Sequence, residues 1–331
     1  MTYYRPLVQH GEARPGGAVE LAGGALWFTQ VEELSRNAPS HIIPAGLVPD
    51  EILRRLSGHR STIAGLDLSQ PQLMGIVNVT PDSFSDGGEH NDLDRAVTAA
   101  RQMIADGATM IDIGGESTRP GAAFVPENEE IARTQPVIEA LRAASDVAIS
   151  IDTRKAGVAA KAMDAGASLV NDVSGFTHDP ALAPLVAQAG APVCIMHAQG
   201  DPATMQDEPK YHDVLLDVFD FLAAQVDRLE AIGVPRDQIV VDPGIGFGKT
   251  QEHNLTLLRG IALFHALGCP ILLGVSRKRF IGDIGKEPQA SARAPGSIAV
   301  GLAALAQGVQ FLRVHDVAAT AQAVRLWQAA R

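Results

Sequence analysis

From about Leu73 onward the chain alternates short, almost wholly apolar runs with segments whose apolar residues recur at helical spacing. The runs are Leu73–Val77, Thr109–Ile113, Val147–Ile151, Ser168–Val170, Pro192–Met196, Ile239–Val241, Pro270–Gly274 and Gln310–Val314. Near-continuous apolarity over so few residues suits a parallel strand covered on both faces. Between the runs, Leu93, Ala96, Val97, Ala100 and Ile104 share one helix face, and Gly107 closes that helix. Leu215, Val218, Phe219, Leu222, Val226 and Leu229 repeat the pattern, closed by Gly233. Eight strands, each followed by a helix, in roughly 250 residues predict an α/β chain folded as a (β/α)8 TIM barrel. A doubly wound sheet would need a Gly-rich fingerprint after its first strand. The residues there, Asn78 to Gly88, lack it. The barrel is placed over residues 65–331, and residues 1–64 form an N-terminal extension of unassigned role. Within the extension, Ala18 to Thr29 suits short strands and Pro49 to Leu56 a helix.

Composition changes this picture little: 46% hydrophobic and 20% charged residues describe an ordinary globular protein. The net charge of −11 disfavours nucleic acid as a partner. An anionic substrate would therefore need positive groups concentrated locally. Met1 to Gly17 has no apolar signal region. The most apolar stretch, Ile261 to Val275, is interrupted by His265 and Pro270 and is too short to span a bilayer. Cys194 and Cys269 lie far apart inside or beside apolar runs and read as buried thiols. A cytoplasmic protein without membrane partners is the expectation.

Active sites of such barrels gather where the strands end. All eight runs here end in polar or charged groups: Asn78, Glu116 to Arg119, Asp152, Asn171 with Asp172, His197, Asp242, Ser276 to Lys278, and Arg313 with His315. Asp152, Asn171 and Asp242 offer two carboxylates and an amide to adjacent N–H donors, the edge presented by a pterin or guanine. Lys278 would face the acceptors of the same ring. The bland alternative is a structural network of these acids with Lys278, Arg277 or each other. Arg313 and His315 lie on one side of the last strand and suit a diphosphate. Asn78, on the adjacent first strand, could share a Mg²⁺ with it. For Arg313 and His315 the bland alternative is an ion pair with Asp316. The polar, Gly-rich loop Thr80 to Gly88 reads as a lid. Gly246 to Thr250 ends like a phosphate-cradling loop, but position 243 is Pro where that pattern needs Gly. Met196 reads as pocket wall. His197 reads equally as site or loop residue.

Leu73 to Gly88, Gly107 to Gly121, Asp242 to Lys249, Ser276-Arg277-Lys278 and Arg313 to Val317 together resemble the signatures of the dihydropteroate synthases. The resemblance spans roughly Gly65 to Arg331. It implies that Asp152, Asn171, Asp242 and Lys278 hold a pterin, with Met196 in the wall. It implies that Asn78, Thr118, Arg313 and His315 handle diphosphate and Mg²⁺, with Asn78 the metal ligand. Phe84, Arg119, Pro120, Phe247 and Ser276 would shape the 4-aminobenzoate pocket, where sulfonamides bind in that family. Position 279 is Arg where some members carry Ser, so a carboxylate contact there is not carried over. Compact members lack the 64-residue leader, so it receives no role.

The implied reaction joins a pterin methyl diphosphate to 4-aminobenzoate. Diphosphate departs with Mg²⁺, Arg313 and His315 stabilising its charge. Asp86 from the lid, with the other carboxylates, would stabilise the cationic methylene, and Lys278 completes the catalytic set. The arylamine needs no strong base, since its lone pair is free at neutral pH. Three readings compete: a pterin-barrel methyltransferase, a Schiff-base aldolase using Lys278, and a pterin-binding paralogue without turnover. The Ala-rich segments Ser291–Gln307 and Ala318–Ala330 suit close helix packing, and the resemblance suggests a homodimer through them.

Overall fold

A computed structural model of the 331-residue chain describes residues 1–79, 89–117, 124–200, 205 and 207–330. Five strands and a helix come first: β1 (Thr2–Pro6), β2 (Val19–Glu20), β3 (Trp27–Phe28), β4 (Gln30–Ser35), β5 (His41–Pro44) and α1 (Asp50–Ser57). Then strands alternate with helices: β6 (Gln72–Asn78), α2 (Glu89–Asp106), β7 (Met110–Gly114), α3 (Glu127–Arg142), β8 (Ala148–Asp152) and α4 (Ala156–Asp164). They continue with β9 (Leu169–Asp172), α5 (Leu182–Ala189), β10 (Val193–Met196), α6 (Val214–Ala231), β11 (Ile239–Asp242) and α7 (Gln251–Arg259). The last are β12 (Leu272–Leu273), α8 (Arg279–Gly285), α9 (Ala294–Leu305), β13 (Phe311–Val314) and α10 (Val317–Ala329).

The eight expected strands are all present and run in parallel, in the order β11-β10-β9-β8-β7-β6-β13-β12. A parallel bridge from Val241 to Ile271 joins the two ends, so the sheet closes into the (β/α)8 barrel. The predicted helices also form: Gly107 and Gly233, both at positive φ, follow α2 and α6, as left-handed helix exits require. Among the described residues no helix is long and apolar enough to cross a membrane.

Alternate residues of a strand face the barrel axis. One inward set, Met74, Met110, Ala148, Leu169, Cys194, Val240, Leu272 and Phe311, clusters with Ile63 and Leu68. These residues fill the floor beneath the strand starts, with the Ile63–Leu66 turn as its plug. Two residues further along the same strands stand Ile76, Asp112, Ser150, Asn171, Met196, Asp242, Gly274 and Arg313. The barrel thus changes from wholly apolar to largely polar within one step of the strand period. A dry floor strengthens electrostatic interactions in the layer above it.

The N-terminal extension folds against the outside of this barrel. β1, β4 and β5 form an antiparallel sheet and β2 pairs with β3. Tyr3, buried, sets its ring edge-on to Phe219 of α6 and donates its hydroxyl to Asp220 at 2.9 Å. Arg36 forks onto Asp217 and Asp220, both at 2.6 Å. Phe28, Val31 and Leu56 are fully buried in the same apolar cluster as barrel residues. The short strands and the helix anticipated in the extension both exist.

Candidate active site

The charged layer is organised around Arg313. Its Nε donates to Asp112 at 2.6 Å and its Nη2 to Asp152 at 2.8 Å. Ser150 donates to the other Asp112 oxygen at 2.6 Å. Burial pushes the Asp152 carboxyl up to about 7 against the pull of Arg313, and Asp112, Glu130 and Asp172 add to the rise. Burial opposes the charge on Arg313, but Asp112 and Asp152 outweigh it and hold the guanidinium firmly protonated. A carboxylate so poised gains from any ligand that brings N–H donors.

Asp242 ends β11, accepts the Gly244 amide at 2.7 Å, and is raised by burial while Lys278 opposes the rise. Lys278 caps the start of α8. Its amine reaches the Ile245 carbonyl and lies 4.5 Å from the centre of the Phe247 ring. Burial lowers Lys278 to about 8 despite Asp242, with Arg313 pushing the same way as burial. A side chain at Gly246, which sits at φ +84°, would press on the Lys278 stem at 3.2 Å. Met196, buried, borders Gly244. Asn171 pairs in register with Asp152 on one side and Cys194 on the other, so the amide and carboxylate share one height in the barrel.

At the rim, Ser276 Oγ lies 3.1 Å from the His315 amide and 3.0 Å from its Nδ1. Asn78 Oδ1 and Asp152 both border the space beside Gly114. Between Ser276 and Lys278, Arg277 has φ +61°, a left-handed conformation costing about 1–2 kcal/mol for a side-chain-bearing residue. It is held there by Ser297, which accepts its amide, and by a forked pair with Asp316. That pair decides the alternative raised above for Arg313: Asp316 engages Arg277, whereas Arg313 turns inward. Arg279 is 92% exposed and faces Asp283 along α8, so it does not line the interior.

Asp152, Asn171, Asp242, Lys278, Met196, Arg313, His315, Asn78, Phe247 and Ser276 thus converge on one end of the barrel. Asp86, Phe84, Thr118, Arg119 and Pro120 lie outside the described residues. The expected concentration of positive charge takes a balanced form: Arg313, Lys278 and Lys249 face Asp112, Asp152 and Asp242. Asp112, Ser150 and Lys249 carried no role in the sequence reading. Asp112 was signalled by its charge inside the apolar run Met110–Gly114. Ser150, a small polar residue in a similar run, gave a weaker signal. Asp172 turns outward and holds the Ser174 and Phe176 amides, a structural role.

Residues 74–315 match the family model described as pterin binding enzyme. Among curated proteins, the dihydropteroate synthase of Escherichia coli strain K12 is 47% identical over 264 residues, covering 80% of this chain and 93% of that protein. Among solved structures, Yersinia pestis dihydropteroate synthase in a sulfonamide drug complex superposes with a TM-score of 0.77 at 46% identity, covering 82% of this chain and 98% of that one. The Xanthomonas albilineans enzyme in complex with 7,8-dihydropteroate gives a TM-score of 0.74 at 41% identity, with 80% and 95% covered.

Proposed function

This chain belongs to the pterin-binding enzyme family, as a transferase with dihydropteroate synthase activity, and from that premise we propose what its own residues do. The reaction condenses (7,8-dihydropterin-6-yl)methyl diphosphate with 4-aminobenzoate, giving 7,8-dihydropteroate and diphosphate in folate biosynthesis. A pterin-barrel methyltransferase or a silent paralogue is not favoured, because the relatives at this identity are synthases.

Asp152 and Asp242 accept the N–H edge of the pterin, Asn171 joins them, and Lys278 donates to its ring acceptors. Met196 packs against the ring. The observation that supports this most is the two-sided interior: Arg313 with Asp152 on one wall, Lys278 facing Asp242 on the other. Arg313, His315 and Thr118 receive the diphosphate. Ser276 engages His315 Nδ1 at the rim, and His315 donates to a phosphate oxygen in this account. Asn78 would contribute an oxygen to a bound Mg²⁺. The described residues contain no cluster of three His, Cys, Asp or Glu side chains that could hold a metal. Such a donor set suits a hard cation that keeps its waters and is carried largely by phosphate oxygens. When bound, that ion would neutralise charge on the departing diphosphate.

As the C–O bond to diphosphate breaks, positive charge develops on the pterin methylene, and Asp86 with the buried carboxylates stabilises it. The amine of 4-aminobenzoate then attacks from a pocket formed by Phe84, Arg119, Pro120, Phe247 and Ser276, losing its proton to solvent. Purified protein given both substrates and Mg²⁺ should release diphosphate and dihydropteroate in equal amounts. Release of neither removes the reading. The protein acts as a cytoplasmic homodimer in this account, joined through α9 and α10, where Leu326 is exposed. Light scattering that returns a monomer removes that part alone.

A pH dependence follows from Asp152. The pterin edge needs the carboxylate form as its acceptor, and burial holds that group up at about 7. Below that pH the empty site takes up a proton that binding must expel. Pterin affinity should therefore fall as pH drops through about 7, approaching tenfold per unit. Calorimetric titrations between pH 5.5 and 8.5 check this, and a flat profile for the wild type contradicts it.

A further inference from the structure

The loops after β10 and β11 approach more closely than side chains permit. Gly244 has φ +68°, and a Cβ there would sit 1.9 Å from the His197 carbonyl oxygen. Gly248 has φ +62°, and a Cβ there would sit 2.5 Å from the Gln199 carbonyl oxygen. Glycine is required twice, by conformation and by space. Beneath this contact lies Lys249, 3% exposed, whose amine is 2.9 Å from His197 Nδ1, 3.2 Å from the His197 carbonyl and 2.9 Å from the Phe247 carbonyl. An ammonium has three N–H donors, and here three acceptors from two loops surround it.

No carboxylate lies within ion-pairing distance of Lys249 among the described residues, so it is not one half of a salt bridge. Burial presses its ammonium well below the usual lysine range, against the pull of Asp242. A methionine would fill the volume without that cost. What a methionine could not do is join the loops. Tyr211 adds a second tie to the same segment, donating to the Gly248 carbonyl at 2.7 Å.

We propose that Lys249 is a positioning residue: its amine fastens the loop after β10 to the loop after β11 and thereby fixes the wall that Phe247 presents to 4-aminobenzoate. This rests on the assignment of Phe247 to that pocket. The tie also couples Lys249 to the His197 ring. Burial, reinforced by Lys249, keeps the ring neutral, with its basicity lowered to about 2. If the ammonium donates to Nδ1, the ring proton must sit on Nε2.

The test is steady-state kinetics on the full chain for wild type, Lys249→Met, Tyr211→Phe and Phe247→Ala, with both substrates varied. Lys249→Met should raise KM for 4-aminobenzoate about tenfold and leave that for the pterin diphosphate within about threefold, as expected for a displaced wall. Tyr211→Phe, a milder change that decides the matter if the lysine variant fails to fold, should raise the same KM about two- to threefold. A lowered melting temperature with unchanged KM in both variants would mean a merely structural lysine and overturns the proposal. If Phe247→Ala leaves KM for 4-aminobenzoate unchanged, the pocket assignment fails, and the wall function of Lys249 goes with it. Nitrogen-15 spectra of His197 read the tie separately. The Nε2–H form is expected in the wild type, and His197 nitrogen shifts left unchanged by Lys249→Met overturn the tie whatever the kinetics show.

Discussion

Arg313→Met is expected to lose turnover by at least about a thousandfold and to destabilise the fold by about 3–5 kcal/mol. Methionine roughly matches the length of the aliphatic stem but brings no charge. Asp112, fully buried, and Asp152 would then face one another without the guanidinium that now bridges them at 2.6 and 2.8 Å. Breaking a buried ion pair costs far more than the pair contributes, because the stranded charge must take up a proton or pull in water. Two effects are superimposed here, and a second substitution separates them. Adding Asp112→Asn removes one stranded carboxylate, so the double variant should regain most of the lost stability. It should regain none of the activity, since the diphosphate still lacks its cation. Denaturant midpoints and kcat/KM, measured on the two single variants and the double, close the cycle. Activity that returns together with stability would show that Arg313 acts only as scaffold.

Asp242→Asn should lower activity while sparing stability. The substitution is nearly isosteric, and the amide oxygen can still accept the Gly244 amide now bound at 2.7 Å. Burial already disfavours the charged carboxyl there, so the neutral side chain should leave the melting temperature nearly unchanged. Pterin recognition should suffer. The side chain loses one acceptor of its pair, and Lys278 loses the carboxylate that supports its charge. The expected result is a fall in kcat/KM for the pterin diphosphate of about a thousandfold, with KM for 4-aminobenzoate little altered. Lys278 itself should titrate below its present value of about 8, visible in the pH profile of residual activity. A variant that binds pterin as tightly as the wild type would remove Asp242 from the site.

The eight runs gave the barrel strands within one or two residues, because a strand covered on both faces must be apolar throughout. Asp152, Asn171 and Asp242 could be placed at strand ends for the same reason: each ends an apolar run. The strands β1, β4 and β5 were not read. β4, Gln-Val-Glu-Glu-Leu-Ser, has Val31 as its single buried residue, so its hydrophobic signal is too thin to separate from a loop. Lys249 stands in a segment that matches a phosphate loop only in part, so its local sequence carries no role for it. Its environment comes from His197, 52 residues earlier, and no pattern local to it could announce that partner.

The sequence by itself therefore determined the barrel's strands and helices, their order, the polar groups at the strand ends, and through the shared motifs the reaction. Those properties depend on backbone periodicity and steric preference, which act over a few residues. The tertiary structure alone decided the pairings: Arg313 with Asp112 across 201 residues, Asp316 with Arg277, and Lys249 between two loops. Closing the sheet staggers each strand against the next, and that stagger brings particular residues to one height. It is a property of the whole ring of strands, which no single segment carries.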